Sequence, residues 1–148
     1  MVPPHMEKPM VELEVAGQKL DTRELEVHEG LDQPFVASLT ALSKDPDLDL
    51  DDMVGKDASL LIRHPKGDRR YVGVVRRFDL VDPEPDGLST YIVEIVPKLW
   101  VLGHAKSYRI FQNKSEVEVA VETLARWGIE PQLRLGAKYP RREIRVQY

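Results

Sequence analysis

The sequence predicts a mainly β protein with one or two helices, built around a small antiparallel β-barrel. Apolar and polar residues alternate with a period of two in several segments of the first half of the chain, which is typical of half-buried strands. Turn-forming residues separate these segments at a spacing of about ten residues, which favours a barrel or a sandwich. A helical pattern that starts with a capping sequence follows after residue 114.

The first elements are predicted to be three strands and one helical turn. Residues 11–15 alternate apolar residues with glutamates, and after a turn at residues 16–19 a second alternation at residues 25–27 completes a hairpin. Residues 35–42 are more continuously apolar and form the next predicted strand. Irregular apolar spacing over residues 48–54 indicates one short helical turn, which the glycine that follows can end.

Three further strands are predicted before residue 97. Residues 58–63 form one strand, and residues 70–81 form a long strand that Gly73 interrupts. A glycine inside a strand marks either a bulge or a close approach of another backbone, and the sequence leaves both open. A proline-rich loop at residues 82–87 precedes the last strand, residues 89–96, which the next proline ends because it has no N–H to donate.

The helix predicted over residues 115–127 has the clearest signals. Ser115 and Glu118 form the Ser-x-x-Glu capping pattern, and apolar residues recur at helical spacing behind them. Gly128 is suited to end the helix. Residues 144–148 return to a strand-like alternation.

Composition excludes several classes of function. The formal net charge is −4, which argues against a nucleic-acid partner, and the chain has no cysteine, so disulfides and cysteine-based zinc sites are excluded. No apolar run reaches the roughly 20 residues that span a bilayer. Residues 1–6 resemble a cloning remnant and are left out of the fold prediction.

Candidate chemical sites are weak. The aspartates at residues 45–52 resemble a calcium loop, but Leu50 and Lys56 stand where that loop needs glycine and glutamate. The four histidines have no metal-binding spacing, and no serine-hydrolase elbow or phosphate-binding glycine loop is present. We therefore expect no catalytic residue, no cofactor and no metal.

Two basic clusters have two interpretations. The first includes Arg69, Arg70, Arg76 and Arg77, and the second is at residues 141–145. They either bind phosphates or pair with the abundant carboxylates of the same chain, and we favour pairing. Since neighbouring side chains on a regular strand alternate, Arg76 and Arg77 are expected to point to opposite faces.

Two apolar clusters lie between the last barrel strand and the helix. The first contains Leu99 and Trp100, and the second contains Tyr108 and Phe111. We expect both clusters to be core, so that together with the helix they close one end of the barrel.

Five motifs in order resemble the N-terminal region of VgrG-type spike proteins of the type VI secretion system, which are related to phage late control D proteins and to phage baseplate hubs. They are residues 47–55 (DLDLDDMVG), 70–75 (RYVGVV), 95–102 (IVPKLWVL), 107–115 (SYRIFQNKS) and 141–148 (RREIRVQY). The resemblance implies a hub-type β-barrel over residues 7–130, and it implies that residues 131–148 start the next hub segment, which looks truncated. The structural or interface candidates are Trp100, Leu99, Phe111, Tyr108, Gly73, Arg76 and Arg77.

The resemblance also implies a function. In this family three copies form a hub that docks onto a hexameric tube protein and baseplate proteins, and the spike is fired into a target cell. The implied role is structural and non-enzymatic, with assembly in the cytoplasm followed by secretion. Effectors would be carried by C-terminal parts that this chain lacks, and the chain alone is expected to be a monomer. The alternatives are a phage tail hub, a free-standing ligand-binding β-barrel and a hydrolase.

Overall fold

The computed structural model describes residues 10–43, 45, 48–83, 88–106 and 108–147. The chain divides into two compact units, residues 1–97 and residues 98–148, which we call the barrel unit and the C-terminal unit. The expected remnant at residues 1–6, Asp47 and most of the predicted loop at residues 82–87 lie outside the described residues.

The barrel unit is a closed antiparallel barrel of six strands, as predicted. The strands are β1 (Val11–Val15), β2 (Gln18–Gly30), β3 (Gln33–Ser43), β4 (Asp57–Ile62), β5 (Arg69–Asp82) and β6 (Ser89–Val96). Their order around the barrel is β1-β2-β3-β6-β5-β4. The pairing of β1 with β4 over five residue pairs completes the ring.

The interior of the barrel is filled by alternate side chains of all six strands. Outside the bulges of β2 and β5, the strands send every second residue inward, as the period-two pattern predicts. Among the largest fully buried side chains are those of Leu13, Leu60, Val75, Tyr91 and Ile95. Phe78 and Tyr91 pack with their ring centroids 5.1 Å apart. The barrel is therefore a packed core.

A short helix, α1 (Leu50–Met53), lies between β3 and β4, where the sequence predicts one helical turn. Asp49 caps it, because its carboxylate accepts hydrogen bonds from the backbone N–H groups of Asp51 and Asp52. Gly55 follows with φ 83° and donates its N–H to the carbonyl of Val75 at 2.8 Å. The aspartates that resemble a calcium loop thus include the cap of this helix.

The C-terminal unit contains a 3₁₀-helix (Lys98–His104), strand β7 (Arg109–Lys114), helix α2 (Glu116–Ala125) and strand β8 (Arg142–Gln147). The predicted capping box of α2 is present. Gly128 takes φ 65° beyond the end of the helix. Strands β7 and β8 form a separate two-stranded antiparallel sheet.

The pairing of β7 with β8 joins segments on both sides of residue 130 in one compact unit. The domain limits expected at residues 7, 130 and 148 stay predictions. The ring of the barrel is completed by strand pairing. The expected closure of one end of the barrel by α2 also stays a prediction.

Candidate assembly surfaces

Gly73 lies where the end of β6 passes close to β5. A Cβ atom added at Gly73 would stand 1.9 Å from the carbonyl oxygen of Val96 and 3.1 Å from the Cα of Pro97. Of the two interpretations that the sequence leaves open, the close backbone approach is the one found at Gly73. The bulges of β5 come later, between Val75 and Arg77 and between Leu80 and Asp82.

Arg76 and Arg77 lie on the same face of β5, so the prediction that they point to opposite faces is wrong. The register shifts between Val75 and Arg77, which makes Arg76 an extra residue in the strand. Arg76 Nε donates to Glu94 at 2.7 Å, and Arg77 Nη1 lies 3.8 Å from the same carboxylate. Arg77 also pairs with Asp79. The bulge therefore places two cations beside one half-buried glutamate.

Sequence reasoning missed a cluster that links two hairpins at one end of the barrel. Glu29 on β2 pairs with Arg69 and accepts a hydrogen bond from the Tyr71 hydroxyl at 3.2 Å. Phe35 packs edge-on against Tyr71, with the ring centroids 5.2 Å apart. The hydrogen bond from Arg69 lowers the pKa of Glu29, while burial and then the hydrogen bond to Glu29 raise the pKa of Tyr71. These residues are about 40 positions apart in the sequence, so only the strand register brings them together.

The two apolar clusters after β6 do not form the single core that the sequence predicts. Phe111 is buried, with 4% of its surface exposed, whereas Leu99 is 54% and Tyr108 is 85% exposed. Trp100 is half-buried and packs against His104, with the ring centroids 4.2 Å apart. A 3₁₀-helix turns the side chains of the first cluster in different directions, so adjacent apolar residues in the sequence are not buried together.

Ion pairs hold helix α2 to its neighbours. Glu116 pairs with Arg145, Glu118 with Arg141, and Glu122 with both Lys114 and Arg126. This pairing is what we favoured for the second basic cluster.

The pKa values of these three glutamates are all lowered. For Glu116 and Glu118 the main cause is a hydrogen bond from the backbone at the start of α2, followed by the arginine partner. For Glu122 the main causes are the hydrogen bonds from Lys114 and then Arg126. We call Glu116, Glu118 and Glu122 the α2 carboxylates.

One face of the β7–β8 sheet carries a group of exposed apolar residues. Ile110 pairs with Val146 and Gln112 with Ile144, and these alternate positions share the face opposite Phe111. Ile110, Ile144 and Val146 are all exposed. Exposed apolar residues gathered on one sheet face are typical of an interaction surface.

Among the described residues, no group of three or more histidine, cysteine, aspartate or glutamate side chains could hold a metal ion. Within the same ranges, no helix combines the length and apolar character needed to cross a membrane. His28 pairs with Glu26, and the Nδ1 of His64 accepts a backbone hydrogen bond from Lys66 in a turn. What the described residues offer is packing, ion pairing and strand pairing.

Comparisons with known proteins point to one family. The family model described as phage tail baseplate hub (GPD) matches residues 28–148. The type VI secretion system spike proteins VgrG1b and VgrG1c of Pseudomonas aeruginosa are each 30% identical to this chain, over 140 and 146 residues. These alignments cover 93% and 97% of this chain and 19% of each relative, so the chain spans less than a fifth of the relatives' length.

A solved structure shares the fold. The E. coli c3393 protein is described as a component of the type VI secretion system with structural similarity to the T4 bacteriophage tail proteins gp27 and gp5. It matches this chain with a TM-score of 0.74 and 23% identity, covering 92% of this chain and 38% of that one. The resemblance that the five motifs indicated is confirmed, and the chain belongs to the phage tail baseplate hub family.

Proposed function

We propose that this chain is a structural hub module of a type VI secretion spike, and that it acts by assembly without a catalytic step. The observation that carries the proposal is the match of a hub family model to residues 28–148, together with relatives named as spike proteins along nearly the whole chain. The packed barrel interior supports it over a free-standing ligand-binding barrel, which would need a concave pocket.

The proposed partners are further copies of the hub, the hexameric tube protein and the baseplate proteins. The protein would assemble as a homotrimer in a longer form and leave the cell as part of the injected spike. Effectors would attach through regions outside these 148 residues.

The exposed apolar residues of the C-terminal unit are the proposed assembly surface. Tyr108, Leu99 and the sheet face of Ile110, Ile144 and Val146 are exposed although they are large and apolar. The cores of protein interfaces are enriched in aromatic and apolar side chains and depleted of charge. In this proposal Phe111, Gly73 and the Arg76–Arg77 pair have supporting roles inside the units, and Trp100 contributes to both packing and the surface.

Light scattering tests the function directly. We expect a version extended to the relatives' length to form a trimer and to bind the purified tube protein, and the present chain to bind more weakly or not at all. If the extended protein neither forms a trimer nor binds the tube protein, the proposal is wrong.

A pair of variants of the extended protein tests the surface. Tyr108→Ser should weaken assembly, because Tyr108 is exposed in the free chain and belongs to the proposed surface. Val72→Ser is the matched control, since Val72 is an exposed apolar residue of β5 outside the proposed surface. Equal assembly by the two variants would remove Tyr108 from the interface.

A phage tail hub is the second candidate, because the matching family model is described as a phage baseplate hub. Neighbouring genes separate the two. Sheath and tube genes accompany both systems, but capsid genes would accompany only a phage.

A further inference from the structure

Among the described residues, strand β2 has a long edge without a strand partner. It contains 13 residues, but β1 has five and pairs only with Gln18, Lys19 and Leu20 of β2. Beyond Leu20, β2 pairs on one side with β3, and no described strand pairs with its other side. An unpaired edge presents N–H and C=O groups that another extended chain can pair with.

Two bulges define the usable part of this edge. The register of β2 with β3 shifts between Thr22 and Glu24 and again between His28 and Gly30. Between the shifts, residues 24–28 pair regularly with β3, from Glu24 opposite Thr40 to His28 opposite Val36. The bulges protect the two ends of the edge, and they leave a regular stretch of five residues open.

The outer side of this stretch carries uncompensated negative charge. Glu24 and Glu26 are exposed, and no lysine or arginine pairs with either among the described residues. Their polar contacts are the Thr40 hydroxyl at 3.5 Å and His28 at 2.9 Å. The carboxylates beside β5 are compensated, because Arg76 pairs with Glu94 and Arg77 with Asp79.

A shallow groove of about 330 Å³ runs beside these glutamates. The small residues Ser38 and Thr40 stand opposite Glu26 and Glu24, and Ile92 of β6 is the next partner of Thr40. The groove therefore joins two carboxylates, two hydroxyl groups and an apolar side chain. The groove lies over β3, on the side of the glutamates away from the open edge, and it leaves both carboxylates accessible to a lysine or arginine side chain that comes from that edge.

We propose that the stretch of β2 from Glu24 to His28 is a docking edge for an extended, basic segment of a partner protein. The segment adds a strand to the barrel beside β2. Its outward lysine or arginine side chains lie next to Glu24 and Glu26, and its inward residues are apolar because their neighbours are Leu25 and Val27. The proposal does not depend on which secretion or phage system the protein serves.

Fluorescence anisotropy with a labelled synthetic peptide tests this proposal. The probe is a short peptide in which lysine alternates with valine, and it should bind the intact chain more weakly as salt is added. The double substitution Glu24→Gln and Glu26→Gln should weaken binding about three- to tenfold, since two cross-strand ion pairs are lost. Asp32→Asn with Asp51→Asn is the control, because it removes the same charge from exposed sites elsewhere. The control should bind like the wild type.

Two more arms separate strand addition from simple charge attraction. A peptide with N-methyl groups on its pairing edge keeps its charge but loses its N–H donors, and it should not bind. A peptide with glutamate in place of lysine should bind only the Glu24→Lys, Glu26→Lys variant. Three results would overturn the proposal. The Glu24→Gln, Glu26→Gln variant could bind the probe as tightly as the Asp32→Asn, Asp51→Asn control, the N-methylated peptide could bind as tightly as the probe, or the probe could fail to bind at all. Concentration-dependent self-association that the Glu24→Gln, Glu26→Gln change abolishes would assign the edge to a second copy and also overturn it.

Discussion

Replacing Gly73 with alanine tests how closely β5 and β6 must approach. The new Cβ would lie 1.9 Å from the Val96 carbonyl oxygen, a distance that must grow to at least 3.0 Å. The atoms in the way are backbone, so no side chain can rotate to make room, and the pairing of Val74 with Val96 must shift instead.

The cost follows from two effects. Forcing extra volume into a packed region costs about 1–3 kcal/mol, and a weakened backbone hydrogen bond adds about 1 kcal/mol. We therefore expect Gly73→Ala to lower the free energy of unfolding of the barrel by about 2–4 kcal/mol. For a unit of this size that corresponds to a fall in melting temperature of about 10–25 °C.

Thermal unfolding followed by far-ultraviolet circular dichroism measures this change. Gly30→Ala is the control in the same unit, because a Cβ at Gly30 meets only the flexible side chain of Gln33. We expect the control to melt within a few degrees of the wild type. If Gly73→Ala melts no lower than Gly30→Ala, the close approach of β6 does not constrain residue 73, and the reasoning is refuted.

The remaining predictions concern the C-terminal unit, which contains both tryptophans, so tryptophan fluorescence follows its unfolding alone. Phe111→Ala should lower the free energy of unfolding by about 3–5 kcal/mol, which is enough to unfold so small a unit. Trp100→Ala should lower it less, because Trp100 is only half-buried. Circular dichroism can rank the two variants, and the reverse order would contradict the burial described above. Ser115→Ala removes the helix cap and should cost about 1 kcal/mol, and an unchanged melting curve would argue against the cap. The α2 carboxylates have lowered pKa values in the folded chain, so their stabilisation is fully present above the ordinary glutamate value of 4.5 and is lost as the pH falls below it. The melting temperature of the C-terminal unit should therefore fall with acidification, and Glu118→Gln should flatten that dependence.

Local signals in the sequence were sufficient where the structure depends on neighbouring residues. The capping box of Ser115 and Glu118 and the stop at Gly128 involve groups a few positions apart, and both were predicted and found. The period-two alternation predicted the barrel strands for the same reason. At Gly73 the sequence allowed either a bulge or a close approach of another backbone, and only the position of Val96 decides between the two.

Features that depend on register could not be predicted. Alternation places Arg76 and Arg77 on opposite faces, but a bulge puts both beside Glu94, and a bulge has no reliable sequence signal. The cluster of Glu29, Arg69 and Tyr71 likewise requires two hairpins to meet. Proximity of apolar residues in the sequence was also misleading, because burial depends on which face of an element packs against another.

Different interactions stabilise the two units, and this difference affects how a hub module assembles. The barrel buries side chains from six strands, so its stability comes mainly from the apolar core. In the described part of the C-terminal unit, Phe111 is the one large apolar side chain that is buried, while Val117, Val121 and Leu124 of α2 are half-buried. Ion pairs of the partly exposed α2 carboxylates supply further links. Exposed ion pairs stabilise weakly, and an isolated two-stranded sheet is marginal. A partner that covers Tyr108 and the apolar sheet face would therefore stabilise the C-terminal unit far more than the barrel. Assembly would then make the less stable unit rigid, and the barrel would serve as the preformed frame.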